Sequence, residues 1–189
     1  MRTVIHKLFW MWQLDEEENW INEMSQHGYS LEHAGRITFE FDETEAGKYT
    51  YRTLFLKGSG SSSENIKYFR FLEDMGIRVV SYINYPGTCI VYTRALSEDY
   101  PEGIDLFSDI DSKIRSIKVY VGYMIFVMAF TLFASLLNLS VVLGNLQHIM
   151  WVNILCAIVT FVLFVCATVS TVRMLIEISK LKKERVIHE

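Results

Sequence analysis

Ile37, Phe39 and Phe41 alternate with Arg36, Thr38, Glu40 and Asp42, the period of a strand with one buried face. Similar patterning predicts elements along most of the first half of the chain. Thr3 to Gln13 is rich in β-branched and aromatic residues, with Trp10 and Trp12 on one face, and reads as a strand. Asp15 to Glu18 then place four carboxylates where the positive end of a helix dipole favours them. Trp20, Ile21 and Met24 supply the apolar stripe of that helix, and Gly28 is its natural stop. A polar turn from Asp42 to Lys48 leads into a further strand, Tyr49 to Lys57, so this strand and the one around Phe39 predict an antiparallel hairpin. Ser63 is placed to cap a second helix, Glu64 to Met75, with Ile66, Phe69, Leu72 and Met75 on its buried side. Gly76 ends it, and two strands, Ile77 to Tyr85 and Thr88 to Ala95, flank a Pro86-Gly87 turn. The order β-α-β-β-α-β, with one more strand added by a hairpin, predicts an α+β, ferredoxin-like domain with both helices on one face of a single sheet.

The second half has a different pattern. Val119 to Val172 contains no Asp, Glu, Lys or Arg. About 20 helical residues cross a bilayer core, and this run is more than twice that long. Asn138, Asn145, Gln147 and His148, with Gly144 among them, interrupt it near the middle, so it reads as two transmembrane helices joined by a tight turn. Ser108 precedes Asp111 by three residues, a variant of the capping box, and Asp109 to Lys118 has helical spacing with no breaker. One helix is therefore expected to run from about Asp109 into the bilayer, with Ser108, Asp109, Asp111, Ser112 and Lys113 as its juxtamembrane motif. The resulting division is a domain over 1–95, a linker over 96–108, the juxtamembrane and transmembrane helices over 109–172, and a basic tail over 173–189.

Within the apolar run, Met124, Met128, Thr131, Ser135 and Asn138 share one helical stripe, and Asn153, Ala157, Thr160, Phe164, Ala167 and Thr171 share another. Folded about the turn, Asn138 comes opposite Asn153, Ser135 opposite Ala157, and Thr131 opposite Thr160. Small residues allow close approach, and Asn or Thr can hydrogen-bond between helices. These six residues are the expected hairpin interface.

Charge sets an orientation. Lys113, Arg115 and Lys118 precede the run; Arg173, Lys180, Lys182, Lys183 and Arg185 follow it. Positive flanks stay on the cytoplasmic side, so both termini are expected there, in the cell membrane. The first 18 residues lack the features of a signal peptide, because His6, Lys7 and Gln13 break their apolar positions. Residues 1–118 carry a balance of −6 and residues 119–189 a balance of +2. An acidic domain disfavours direct nucleic-acid binding, which needs a basic face.

The candidates for chemistry read mostly as structural. Gly58 to Ser63 (GSGSSS) lacks the ending of a phosphate-binding P-loop and reads as a flexible connector. Asp15 to Glu18 could hold a divalent cation, but a helix N-terminus accounts for them more simply. His6, His27 and His33 have no metal-ligand spacing, and Cys89, Cys156 and Cys166 form no CxxC pair. Trp10, Trp12 and Trp20 read as core or sheet-face residues; the alternative is an exposed aromatic interaction face that also includes Tyr49, Tyr51 and Tyr92. No cofactor or metal is expected.

Trp20 to Leu31 (WINEMSQHGYSL), Phe71 to Val80 (FLEDMGIRVV), Phe107 to Lys118 (FSDIDSKIRSIK) and the opening Lys7 to Trp12 (KLFWMW) together resemble the motifs of the bacterial DUF2812 family, over residues 5–118. The resemblance implies a cytoplasmic domain with a variable membrane hairpin, often encoded beside PadR-like transcriptional regulators. It brings no catalytic residues. The expectation is a non-enzymatic, membrane-anchored sensor or regulator that binds membrane lipid and a protein partner, a transcriptional regulator or a permease, with room for a homo-oligomer. The alternative is a small-ligand-binding or accessory subunit of a membrane transporter.

Overall fold

The computed structural model describes residues 2–104, 109–144 and 151–188, with the side chains of 109–112, 142 and 184–188 left aside. The chain forms two compact units, Met1–Ser116 and Ile117–Glu189. The first contains β1 (Arg2–His6), α1 (Leu14–Gln26), β2 (Tyr29–Ala34), β3 (Thr38–Glu43), β4 (Tyr49–Lys57), α2 (Ser63–Asp74), β5 (Arg78–Tyr85) and β6 (Thr88–Leu96). Helix α3 (Asp109–Gly144) starts in the first unit and continues into the second, which also holds α4 (Trp151–His188).

The α+β class is observed, but the strands form two antiparallel three-stranded sheets, in the orders β1-β3-β2 and β4-β6-β5, rather than one ferredoxin-like sheet. Two local causes account for the difference. Gly28 has φ +84°, and Thr44 N donates to its carbonyl at 2.9 Å, so the chain reverses directly after α1 and Tyr29–Ala34 forms a strand. That strand pairs with β3, while β1 takes β3's other edge. The expected hairpin between β3 and β4 therefore cannot form, and β4 pairs instead with β6 along all nine of its residues.

The two sheets arise from one motif used twice. Each half runs strand, helix, strand, strand; in each the third strand lies in the middle; and in each the helix ends at a positive-φ glycine, Gly28 or Gly76. Each also carries a bulge, four residues beyond that glycine, at Glu32 in β2 and Val80 in β5. The sequence similarity between halves is slight, so this βαββ duplication becomes visible only through topology and bulge position.

Side chains tie the halves together by satisfying strand edges, where unpaired backbone groups would otherwise invite pairing with other chains. On the free edge of β4, Glu18 accepts from Thr53 N (2.8 Å) and Asn22 both accepts from Tyr51 N (2.8 Å) and donates to its carbonyl (3.0 Å). Ser25 donates to the Tyr49 carbonyl at 2.5 Å. Glu18, Asn22 and Ser25 lie on one stripe of α1, matching alternate residues of the strand. Strand β2 is treated likewise: Leu31 N donates to the Tyr51 hydroxyl (2.8 Å), Arg94 donates to the Leu31 carbonyl (3.1 Å), and Ser81 bonds both backbone groups of Ala34.

The main core lies between the halves: Leu14, Ile21, Leu31, Ala34, Phe39 and Phe41 pack with Tyr51, Phe55, Ile90 and Tyr92. A second cluster, with Leu72, Ile77 and Val91 at its centre, lies under α2. Ser62, one residue earlier than expected, caps α2 by accepting from Asn65 N.

Stretches of 29 residues in α3 (Lys113–Val141) and 33 in α4 (Trp151–Lys183) are long and apolar enough to cross a membrane. Helix α4 continues without a break through the basic segment expected to be a tail. Of the expected turn near Gly144 to Gln147, Gly144 is the last residue of α3 and residues 145–147 lie outside the described residues.

Candidate functional site

The four carboxylates that open α1 have four separate destinations, because successive helical positions point about 100° apart. Asp15 forms an ion pair with Lys113 at the start of α3. Glu16 accepts from the Gln13 side-chain amide at 2.9 Å. Glu18 holds the β4 edge and pairs with Arg52 at 2.9 Å. Glu17 turns inward, between Leu14 and Ile21 on the buried face, and is only 5% exposed. The cation-binding alternative for this cluster has no shared focus to act at.

Glu17 is the residue whose chemistry stands out. Its Oε1 accepts from the Tyr92 hydroxyl at 2.6 Å, a bond from the first βαββ half to the middle strand of the second. Burial pushes its carboxyl from 4.5 up to about 7; the Tyr92 bond opposes the shift and neighbouring Glu18 adds to it. Tyr92 itself is driven well above the usual phenol range, first by burial and then by the nearby carboxylate. Tyr85 is also raised, chiefly by burial, with the Arg36 guanidinium 5.2 Å from its ring centroid. A neutral-to-charged change at Glu17 thus falls within the physiological range, inside an aromatic core that joins the two halves. In the sequence Glu17 and Glu18 fit the helical spacing of Leu14 and Ile21 equally well, so nothing there singles out Glu17.

The core reading holds for Trp20, Tyr51 and Tyr92. Trp20 lies edge-on to Phe39 and Phe41, with centroid distances of 5.1 and 5.6 Å, and Tyr51 and Tyr92 are buried. Trp10 and Trp12 lie beyond the end of β1, which is shorter than expected, and stack on each other at 5.2 Å. The Cys89 thiol is buried and pushed up to about 11 by desolvation, so it is a packing residue with little thiolate character.

At the juxtamembrane motif, Ser108 lies outside the described residues, as do the side chains of Asp109, Asp111 and Ser112. Their backbone, from Asp109, forms the first turn of α3. Lys113 is buried on Asp15, and Ser116 shares a 2.8 Å hydrogen bond with Thr88 at the start of β6. The base of α3 is therefore part of the first unit's fold.

Of the expected hairpin residues, Thr131 is buried and Ser135, Asn138, Asn153, Ala157 and Thr160 are half-buried, while Phe126, Phe130 and Phe133 are well exposed. Thr131 donates to the carbonyls of Val127 and Met128, Asn138 to that of Ala134, and Thr160 to those of Cys156 and Ala157. These bonds stay within each helix and satisfy polar groups that lipid could not.

A family model described as "Protein of unknown function (DUF2812)" matches residues 13–130. The chain belongs to the DUF2812 family. No curated protein matches it. The DUF2812 match begins just before α1, includes Glu17, Tyr92 and both ends of the Asp15–Lys113 pair, and continues well into the apolar part of α3. The family segment therefore contains the folded unit from α1 onward, without β1, together with the base of its long helix.

Proposed function

We propose that this DUF2812 protein is a non-enzymatic, membrane-anchored sensor or regulator whose cytoplasmic domain binds a protein partner, with a PadR-like transcriptional regulator as the leading candidate. The observation that carries the reading is the base of α3, where Lys113 and Ser116 are bonded into the folded unit on the same unbroken helix that becomes apolar enough to span a bilayer. In this proposal α3 and α4 form an antiparallel hairpin with the stripes of Thr131, Ser135 and Asn138 and of Asn153, Ala157 and Thr160 face to face. Basic residues on both flanks keep the two termini cytoplasmic. A change of membrane state that moves the base of α3 would act on Asp15 and Thr88, the partners of Lys113 and Ser116.

A small-ligand-binding or transporter-accessory role is the second reading, favoured by one observation: Glu17 is a buried, readily protonated carboxyl at the junction of two repeated halves. Affinity purification of the full chain from gently solubilised membranes, followed by mass spectrometry, separates the two. The regulator reading predicts recovery of a DNA-binding regulator, and altered transcription when the gene is deleted. Recovery of a permease without a regulator, with transcription unchanged, would overturn it in favour of the second.

A further inference from the structure

We infer that Glu17 is a proton-operated latch: protonated, it holds the first turn of α1 on the fold and keeps the base of α3 clasped; ionised, it releases both. The side chain is buried, its Oε1 accepts from the Tyr92 hydroxyl at 2.6 Å, and no ion pair reaches it among the described residues. The charges on the neighbouring strands are already matched, Arg52 of β4 by Glu18 and Glu32 of β2 by Arg94. Tyr85 on β5 is the other titratable group at the site, with Arg36 over its ring. Glu18 adds a like charge from the same helix. A carboxyl so placed is stable when neutral and costly when charged, because burial penalises the ion and no cation offsets the penalty.

The charge acts on the first turn of α1. From Glu18 onward the helix is bonded to the β4 edge through Glu18 and Asn22. The turn before it is supported differently. Gln13 supplies no side-chain cap; its side chain accepts from Trp10 N and donates to Glu16 instead. An uncapped helix end opens readily. Buried Leu14, the Glu17–Tyr92 bond and the Asp15–Lys113 pair hold this turn down. Asp15 and Glu17 stand two residues apart in it, so a move that takes the Glu17 carboxylate to water draws Asp15 away from Lys113. Lys113 is itself buried, and an ammonium left there without its partner loosens the start of α3. The sign follows from solvation. Opening the turn returns the Glu17 carboxyl from about 7 to near 4.5, so rising pH favours the open form. Every residue of the latch lies in the first unit, so the inference is independent of the membrane hairpin and of the protein partner.

Amide hydrogen exchange of the full chain in detergent micelles tests the latch, read as protection factors so that the intrinsic pH dependence of exchange cancels. Between pH 6 and 8, wild type should lose protection about tenfold over residues 14–18 and 113–117, while β3 and the later turns of α1 keep theirs. Glu17→Gln should abolish that loss. Tyr92→Phe removes the donor that opposes the upward shift of Glu17, so it should move the midpoint of the loss to higher pH, a result that does not depend on the Gln variant folding. Four outcomes would overturn the latch: unchanged protection in wild type, a loss that persists in Glu17→Gln, a loss over 14–18 with none over 113–117, or a loss spread evenly over the first unit.

Discussion

Replacing Glu17 by Gln is expected to remove a pH dependence of about 3 kcal/mol from the stability of the folded unit. Burial, with a smaller contribution from Glu18, raises the Glu17 carboxyl from 4.5 to about 7 against the pull of the Tyr92 bond. The folded state therefore holds this proton more tightly than the unfolded chain does. Between those two values the folded state binds more protons, so stability falls as pH rises. The contribution is fully present below about 4.5 and is lost above about 7. Gln is neutral at every pH and its carbonyl can still accept from the Tyr92 hydroxyl, so the variant keeps the bond and loses the titration. Unfolding of both proteins in the same detergent, measured from pH 4.5 to 8, checks this. Wild type should lose about 3 kcal/mol relative to the variant as pH rises through that window, leaving the variant the more stable of the two at pH 8, and parallel profiles would show that Glu17 does not titrate as its burial requires.

Arg94→Leu is expected to cost about 3 kcal/mol, at the lower end for breaking a buried ion pair because Glu32 keeps some solvent. Arg94 donates to Glu32 (2.6 Å) and to the Leu31 carbonyl (3.1 Å), and its guanidinium lies 4.7 Å from the Tyr49 ring centroid. It reaches from β6 to the bulge of β2 and so joins the two βαββ halves. Leucine would leave a carboxylate and a strand-edge carbonyl without their donor. Arg94→Lys should recover only part of the loss, since an ammonium cannot reproduce a planar guanidinium whose Nη1 bonds both acceptors while its plane lies over the Tyr49 ring. Denaturant unfolding of the three proteins measures the effect. A leucine variant within about 0.5 kcal/mol of wild type, the range of an ordinary surface substitution, would mean the halves are held together without Arg94.

What could be read from the sequence follows from how directly each pattern maps onto a backbone. Strand β3 was legible because Phe39 and Phe41 are fully buried and their neighbours are not. Both soluble-domain helices, strands β4 to β6 and the long apolar helices were legible for similar reasons of period and length. Strand β2 was not, because the bulge at Glu32 breaks its alternation: Ser30, Leu31 and Ala34 are buried. Missing that one strand turned two sheets into one and concealed the duplication. Glu17 was hidden differently. Its neighbours in the sequence are three other carboxylates, and only the position of the second βαββ half shows that Tyr92 waits for this one alone. The Trp10–Trp12 segment looked like strand by composition, yet β1 stops at His6 and the tight turn at Trp10–Gln13 takes the chain out of the sheet.

If α3 and α4 form a membrane hairpin, the folded unit and the basic end of α4 lie on the same side of the membrane. Thiol labelling of single cysteines, introduced by Ser61→Cys, Gln147→Cys or Lys182→Cys with Cys89, Cys156 and Cys166 replaced by alanine, tests this in intact cells. A membrane-impermeant reagent should label Gln147→Cys from outside, and should reach Ser61→Cys and Lys182→Cys only after the membrane is permeabilised. Labelling of Ser61→Cys or Lys182→Cys in intact cells, or protection of all three until permeabilisation, would contradict it.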